Sequence, residues 1–147
     1  MAKVRAVCIS ERKGIRKHAV PEITVRKEHG IVGDAHAGNW HRQISLLAQE
    51  SIDKMRALGL TGLTPGAFAE NLVTKGMDLV SLPVGTKLRI GQTVVEVTQI
   101  GKECHNDGCA IQKAVGQCVM PREGIFAVVV REGTVSPGDE IAVWEEA

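Results

Sequence analysis

Apolar residues in this chain either alternate with polar ones or run continuously for only a few positions, and that short period predicts strands. KVRAVCIS (3–10) is rich in β-branched residues, and EITVR (22–26) alternates after Pro21. QISLL (43–47) reads as a short buried strand and NLVT (71–74) as another. GTKLRIGQTVVEVTQI (85–100) reads as two strands about a hairpin turn at Gly91-Gln92. GIFAVVVREGTV (124–135) is a β-branched buried strand leading to a Glu-Gly turn, and SPGDEIAVW (136–144) is a Pro-Gly-Asp turn followed by a last strand.

Only AQESIDKMRALG (48–59) carries a clear helical period, with Ala48, Ile52, Met55 and either Ala57 or Leu58 on one side and a stop at Gly59. Thr64-Pro65 is a helix-start signal that predicts one helical turn before NLVT, and AIQKAVG (110–116) predicts another. KEHGIVGDAHAGNWH (27–41) has three glycines and no helical period, so it is a long loop of the kind that often carries function. Seven or more short strands with one real helix predict a mainly β chain, a closed or nearly closed β-barrel with short helical turns. No βαβ alternation is evident. With no repeat or linker, residues 1–147 read as a single domain, long enough to build a core without staples.

Charge narrows the partners. Eighteen basic residues against seventeen acidic give +1, with the signs mixed along the chain, so neither a nucleic acid nor a membrane surface is expected. There is no tyrosine, and Phe68, Phe126, Trp40 and Trp144 are too few for a base-stacking surface. MAKVRAVCIS lacks a signal-peptide run, and no stretch approaches the ~18 apolar residues of a membrane span. A cytoplasmic protein is expected, whose four cysteines serve as thiols, metal ligands or catalytic groups rather than as bridges.

Cys104, Cys109 and Cys118 fall in GKECHNDGCAIQKAVGQCVMPREGI (101–125). Structural zinc sites favour close C-x2-C pairs, and the C-x4-C spacing here argues against one. Lys102, His105 and Lys113 place positive charge near Cys104 and Cys109, which lowers a thiol pKa, and Gly101 and Gly108 permit tight turns. Buried cysteine also serves as a small hydrophobe, the reading that suits Cys8 in its apolar strand and Cys118 beside Val119.

Two further constellations stand out. GDAHAGNWHR (33–42) offers Asp34, His36, His41 and Arg42 between flexible Gly33 and Gly38, suited to holding an anion or to capping a glycine-rich turn. In AFAENLVTKG (67–76), Glu70-Asn71 at the start of a strand suits either ligand contact or satisfaction of local backbone groups.

Taken in order, GIVGDAHAG…RQISLLAQESI, PGAFAENLVTKGMDL…LPVGTKLRIG, EVTQIGKECHNDGC and GIFAVVVREGTVSPGDEI resemble a MOSC domain, the module named for the C-terminal part of the molybdenum cofactor sulfurase. The resemblance covers roughly residues 25–143 and implies a closed or nearly closed β-barrel. It also implies a cysteine that carries sulfur or ligates molybdenum in a pterin cofactor. Small stand-alone bacterial members resemble molybdenum-cofactor proteins, some of which reduce N-hydroxylated compounds. Gly108-Cys109-Ala110-Ile111 matches the apolar run after the family thiol, whereas Cys104 better matches the distance from the strand ending at Ile100. Cys109 is the first choice for thiolate and molybdenum ligand, with Cys104 the alternative. Asp34, His36 and Arg42 match the family's GD loop, and Glu70 and Asn71 its ENL element, both expected beside the thiol at one barrel end. Arg122, in MPREG, is a further candidate for cofactor contact.

The resulting expectation is a protein that binds the molybdenum cofactor, or a sulfur atom destined for it, through Cys109 or Cys104. Arg42 and the Gly33–Gly38 backbone neutralise anionic oxygens, and His36 or His105 supplies protons. Its partners are then a small-molecule cofactor or substrate and a molybdoenzyme or cofactor-biosynthesis enzyme. Pyridoxal phosphate is not expected, since neither a positioned lysine nor a phosphate cradle is evident. A second reading is a non-catalytic carrier with an exposed apolar patch near the thiol loop. A third is a small zinc-binding structural protein built on Cys104, Cys109 and Cys118.

Overall fold

The computed structural model of the chain describes residues 2–12, 15–59, 64–101 and 124–144. Strand β1 (Ala2–Ile9) shows how the hydrophobic pattern is used. Its first half alternates, with Ala2 and Val4 buried and Lys3 and Arg5 exposed. A register shift between Val4 and Ala6, in the pairing with β6 (Leu72–Lys75), then changes the parity as a bulge does. Beyond it Val7 belongs to the main core, while Ala6 and Cys8 join a second cluster with Ile52, Met55 and Phe68. The strand therefore starts half solvated and ends covered on both faces.

Seven strands close a ring. Its order is β11 (Glu140–Val143), β7 (Lys87–Ile90), β8 (Thr93–Ile100), β9 (Ile125–Arg131), β5 (Ile44–Ala48), β6 and β1. Ala2 opposite Ile141 and Lys3 opposite Glu140 join β1 back to β11. Leu46, Leu72, Leu88, Ile90, Ile125 and Ile141 are among the side chains buried in the main core. Burying each is worth about 1.5–3 kcal/mol relative to leaving it in water. The expected β-barrel is thus present, and closure removes the exposed edges that an open sheet would leave. β2 (His18–Val20) extends the sheet from the end of β1, and β10 (Gly133–Val135), β3 (Ile23–Arg26) and β4 (Gly30–Ile31) form a small separate sheet. Neither β2 nor the two-residue β4 announces itself in the hydrophobic pattern.

Most pairs in the ring are antiparallel, and the hairpin at Gly91-Gln92 forms as expected, with Ile90 opposite Thr93 and Gly91 at φ +59°. The exception corrects the sequence reading. β5 and β6 are parallel, Leu46 opposite Leu72, with helix α1 (Gln49–Ala57) between them in the chain. One βαβ connection is therefore present. It escapes a pattern search because the helix begins directly at the end of β5. Parallel strands are normally covered on both faces, and β5 is buried at every position.

Helix α1 packs Ile52 and Met55, together with Ser51, against the barrel wall. Ala57 and Leu58 are exposed, contrary to expectation, because the helix closes there and the chain turns away through Gly59 at φ +94°. Residues 64–69 likewise form turns rather than the expected helical turn. Ala67 N–H bonds to Thr64 O and Ala69 N–H to Gly66 O, with Gly66 at φ +91° and Ala69 at φ +65°. A 3₁₀ turn occurs instead at Leu79–Ser81. The helical turn expected at 110–116 lies outside the described residues.

Candidate functional site around the GD loop and the end of strand β8

Asp34 of the GD loop is buried, and its partner is Lys17, whose ammonium lies 2.7 Å from Asp34 Oδ1. The same ammonium is 3.2 Å from Ser10 Oγ and 3.0 Å from His36 Nδ1. Asp34 also accepts the N–H groups of Ser10 and His36. Burial pushes the Asp34 carboxyl up, but the hydrogen bond and charge of Lys17, with the two backbone donors, outweigh it and hold the pKa below the usual carboxylate value. Gly33 takes φ +86°, and a Cβ there would meet only Ile9, at 4.0 Å. Its contribution is the turn that delivers Asp34 inward.

Glu70 and Asn71 are also turned inward. Glu70, fully buried, accepts the N–H groups of Gly66 and Phe68 and thereby shapes the 64–69 turns. Burial raises its pKa, against the pull of its backbone donors and Lys17. Asn71 Oδ1 accepts from Ser45 N–H and Oγ–H, while its Nδ2 donates to Cys8 O. Cys8 is the buried apolar thiol that its strand predicts. Burial, with the charge of Glu70, pushes it up to about 12, against the pull of Lys17.

The end of β1 joins these elements: Cys8 binds Asn71, Ser10 binds Asp34, and Lys17 N–H binds Gly66 O. The GD loop and the ENL element thus meet through β1 and Lys17. Neither Lys17 nor Ser10 was singled out in the sequence, because a lysine inside the basic stretch RKGIRK carries no mark that separates it from its solvated neighbours.

The last part of the GD loop reaches the end of β8. Gln99 Oε1 is 3.0 Å from His41 Nε2 and 3.1 Å from Arg42 Nε. Thr98 Oγ1 donates to His41 O, and the Arg42 guanidinium lies 5.2 Å from the Phe126 ring centre. Gln99 Nε2 donates to Gly101 O, and Gly101 N–H to Gly124 O at 2.6 Å. Gly101 and Gly124 are thus hydrogen-bonded to each other, and Gln99 links Gly101 to His41 and Arg42. Gln99 is a second residue that the sequence reading missed; its role depends on a partner 57 positions away.

Cys104, His105, Cys109, Cys118 and Arg122 lie outside the described residues. Among the described residues no group of three or more His, Cys, Asp or Glu side chains is placed to hold a metal. A surface cleft near Glu50, Ser51, Lys54, Met77, Asp78 and Val80 holds none of the candidate residues. No described helix is long and apolar enough to cross a membrane.

Residues 33–142 match the MOSC domain family. The chain belongs to that family. Its relation to the molybdenum cofactor comes with the membership. As a MOSC protein it shares its fold with the YuaD protein from Bacillus subtilis, at a TM-score of 0.77 and 24% identity, covering 95% of this chain and 93% of that one. YiiM from Geobacillus stearothermophilus is similar at TM-score 0.71 and 18% identity, covering 99% and 76%. YiiM from Escherichia coli is similar at TM-score 0.62 and 20% identity, covering 99% and 69%. Identities this low speak to fold alone. No curated protein sequence matches the chain. The MOSC match starts at Gly33, so Lys17 lies upstream of it.

Proposed function

We propose that this MOSC protein binds the molybdenum cofactor, or carries sulfur for it, on a thiolate of Cys109, with Cys104 as the alternative. The observation that carries the reading is the junction at Gly101 and Gly124, the two described residues that border the cysteine-bearing stretch of the sequence. The two glycines are hydrogen-bonded to each other, and Gln99 links Gly101 to His41 and Arg42. The donor set suits such a group. Arg42 keeps a planar fork for an anionic oxygen, and a pterin cofactor carries phosphate and other anionic oxygens. Asp34 and Glu70 put no free carboxylate against such an anion, because both are bound to groups of the protein.

On this reading Arg42 holds anionic oxygens, Gly33 shapes the loop around them, and Asp34, Glu70 and Asn71 brace it from within. Arg122 adds a second guanidinium. The basic neighbours Lys102, His105 and Lys113 favour the thiolate. The bound cofactor supplies two-electron redox chemistry at its metal, of the kind that reduces N-hydroxylated compounds. His36 or His105 orients a bound group or exchanges a proton with it.

Metal, pterin and mass analysis of protein from cells that make the cofactor tests the reading. Molybdenum near one per chain, lost in Cys109→Ser and kept in Cys104→Ser, is the expected result; the reverse pattern would move the site to Cys104. Stoichiometric zinc, with unfolding on chelation, would overturn the proposal.

The carrier reading has its own observation. Ile100, next to Gly101, and Trp40, next to His41, are each more than a third exposed, the kind of apolar surface that docks a recipient enzyme. A mass gain of about one sulfur without pterin would favour this reading, because a persulfide is a reversible thiol adduct.

A further inference from the structure

Gln99 fixes the direction of two hydrogen bonds. An arginine Nε–H can only donate, so the Gln99 atom 3.1 Å from Arg42 Nε is the carbonyl oxygen. The Gln99 amide nitrogen agrees, since it faces an acceptor, Gly101 O. The same carbonyl oxygen lies 3.0 Å from His41 Nε2. A carbonyl oxygen only accepts, so Nε2 of His41 carries a proton, and in the neutral ring Nδ1 carries none.

We infer that Gln99 is a positioning residue that holds His41 as the neutral Nε2–H tautomer and leaves its Nδ1 as the acceptor for an O–H or N–H of a bound group. Among the described residues Nδ1 of His41 has no hydrogen-bond partner, and the residue is exposed. The backbone and the ring are both held: Thr98 Oγ–H donates to His41 O, and Trp40 meets the ring edge-on with centroids 5.8 Å apart. Arg42 completes the pair. Its Nε is spent on Gln99 and its guanidinium lies 5.2 Å from the Phe126 ring centre, while its terminal nitrogens have no hydrogen-bond partner among the described residues. One oxygen thus anchors both a bare ring nitrogen and a cationic donor fork. The complement is a group with an anionic oxygen beside a protonated one, of which a hydrogen phosphate is the simplest. The Arg42 charge, bonded to the same oxygen, opposes a second ring proton. That such a group belongs to the cofactor rests on the reading above; the tautomer and the pairing with Arg42 do not.

The test uses the full chain, labelled with nitrogen-15 and free of cofactor, in phosphate-free buffer at pH 7.5. Long-range proton–nitrogen correlations of the imidazoles should show a protonated Nε2 and an unprotonated Nδ1 for His41. A protonated Nδ1, or two protonated nitrogens, would overturn the inference. Gln99→Leu removes the shared oxygen, and His41 should then move to the averaged pattern of exchanging tautomers. An unchanged pattern in the folded variant would remove Gln99 from the role. Inorganic phosphate, added at constant pH and ionic strength, should shift the His41 Nδ1 signal upfield and to saturation in the unmodified chain, and less in Gln99→Leu. No shift, or an equal shift in the two chains, would overturn the acceptor role. Where Gln99→Leu does not fold, the unmodified chain decides: an averaged tautomer pattern, or an Nδ1 that ignores phosphate, sinks the inference. All of these readouts precede cofactor loading and none involves a thiol, so their failure is distinguishable from failure of the thiolate reading.

Discussion

A thiol reacts as its thiolate, so burial makes Cys8 inert. Iodoacetamide at pH 8 should leave the Cys8 peptide unmodified in the native protein and alkylate it in urea, as read by peptide mass. Burial pushes its pKa up to about 12, above the ordinary thiol value of 9.0. The unfolded chain therefore loses that proton first, and stability present below pH 9 falls as pH rises toward 12, by up to about 4 kcal/mol. Asp34 has the opposite sign. Its pKa is lowered below 3.8, so its contribution is present above that pH and is lost as pH falls through the folded value. Asp34→Asn strands the Lys17 ammonium and should cost about 3–5 kcal/mol at pH 7. Urea unfolding should show this gap narrowing below pH 3.8, and a constant gap would contradict the pairing. Asp34 was legible as a candidate from its GD setting. Its inward direction was not, because the lysine that turns it inward is recruited from a different part of the chain.

The 64–69 turns show local and longer-range forces in competition. Thr64-Pro65 is a sound helix-start signal, yet Glu70 takes the N–H groups of Gly66 and Phe68, and the backbone bends to reach it. A Cβ on Gly66 would lie 2.2 Å from Lys17 O, at a φ of +91°. Gly66→Ala should therefore cost about 2–3 kcal/mol or more, through both overlap and strain. Gly59→Ala is the control, since φ is +94° there but nothing lies within 4 Å. It should cost only about 1–2 kcal/mol of backbone strain. Equal denaturation midpoints for the two variants would show that the contact with Lys17 is unimportant. The position of helix α1, though not the burial of its last turn, and the β7–β8 hairpin were by contrast read correctly, because their signals are complete within a dozen or so residues.

At the scale of the molecule, the barrel depends on a short closing contact between β1 and β11, two residue pairs long. Deleting residues 140–147 would leave the edges of β1 and β7 unpaired and expose Ile90 and Ala2, which are buried beside β11. The truncated chain should lose its cooperative thermal transition, and an unchanged melting temperature would show that closure adds nothing. The sequence alone determined most of the strands, helix α1, the family and the loops worth watching, because alternation, turn residues and motif order are local properties of the chain. Only the tertiary structure decided that β5 and β6 run parallel and that the ring shuts. It also decided that Glu70 and Asn71 face inward, and that Lys17 and Gln99 belong with the GD loop. Each of these depends on residues far apart in sequence meeting in a low-dielectric interior, where a buried charge or N–H must find a partner. No run of neighbouring residues records which distant partner that will be.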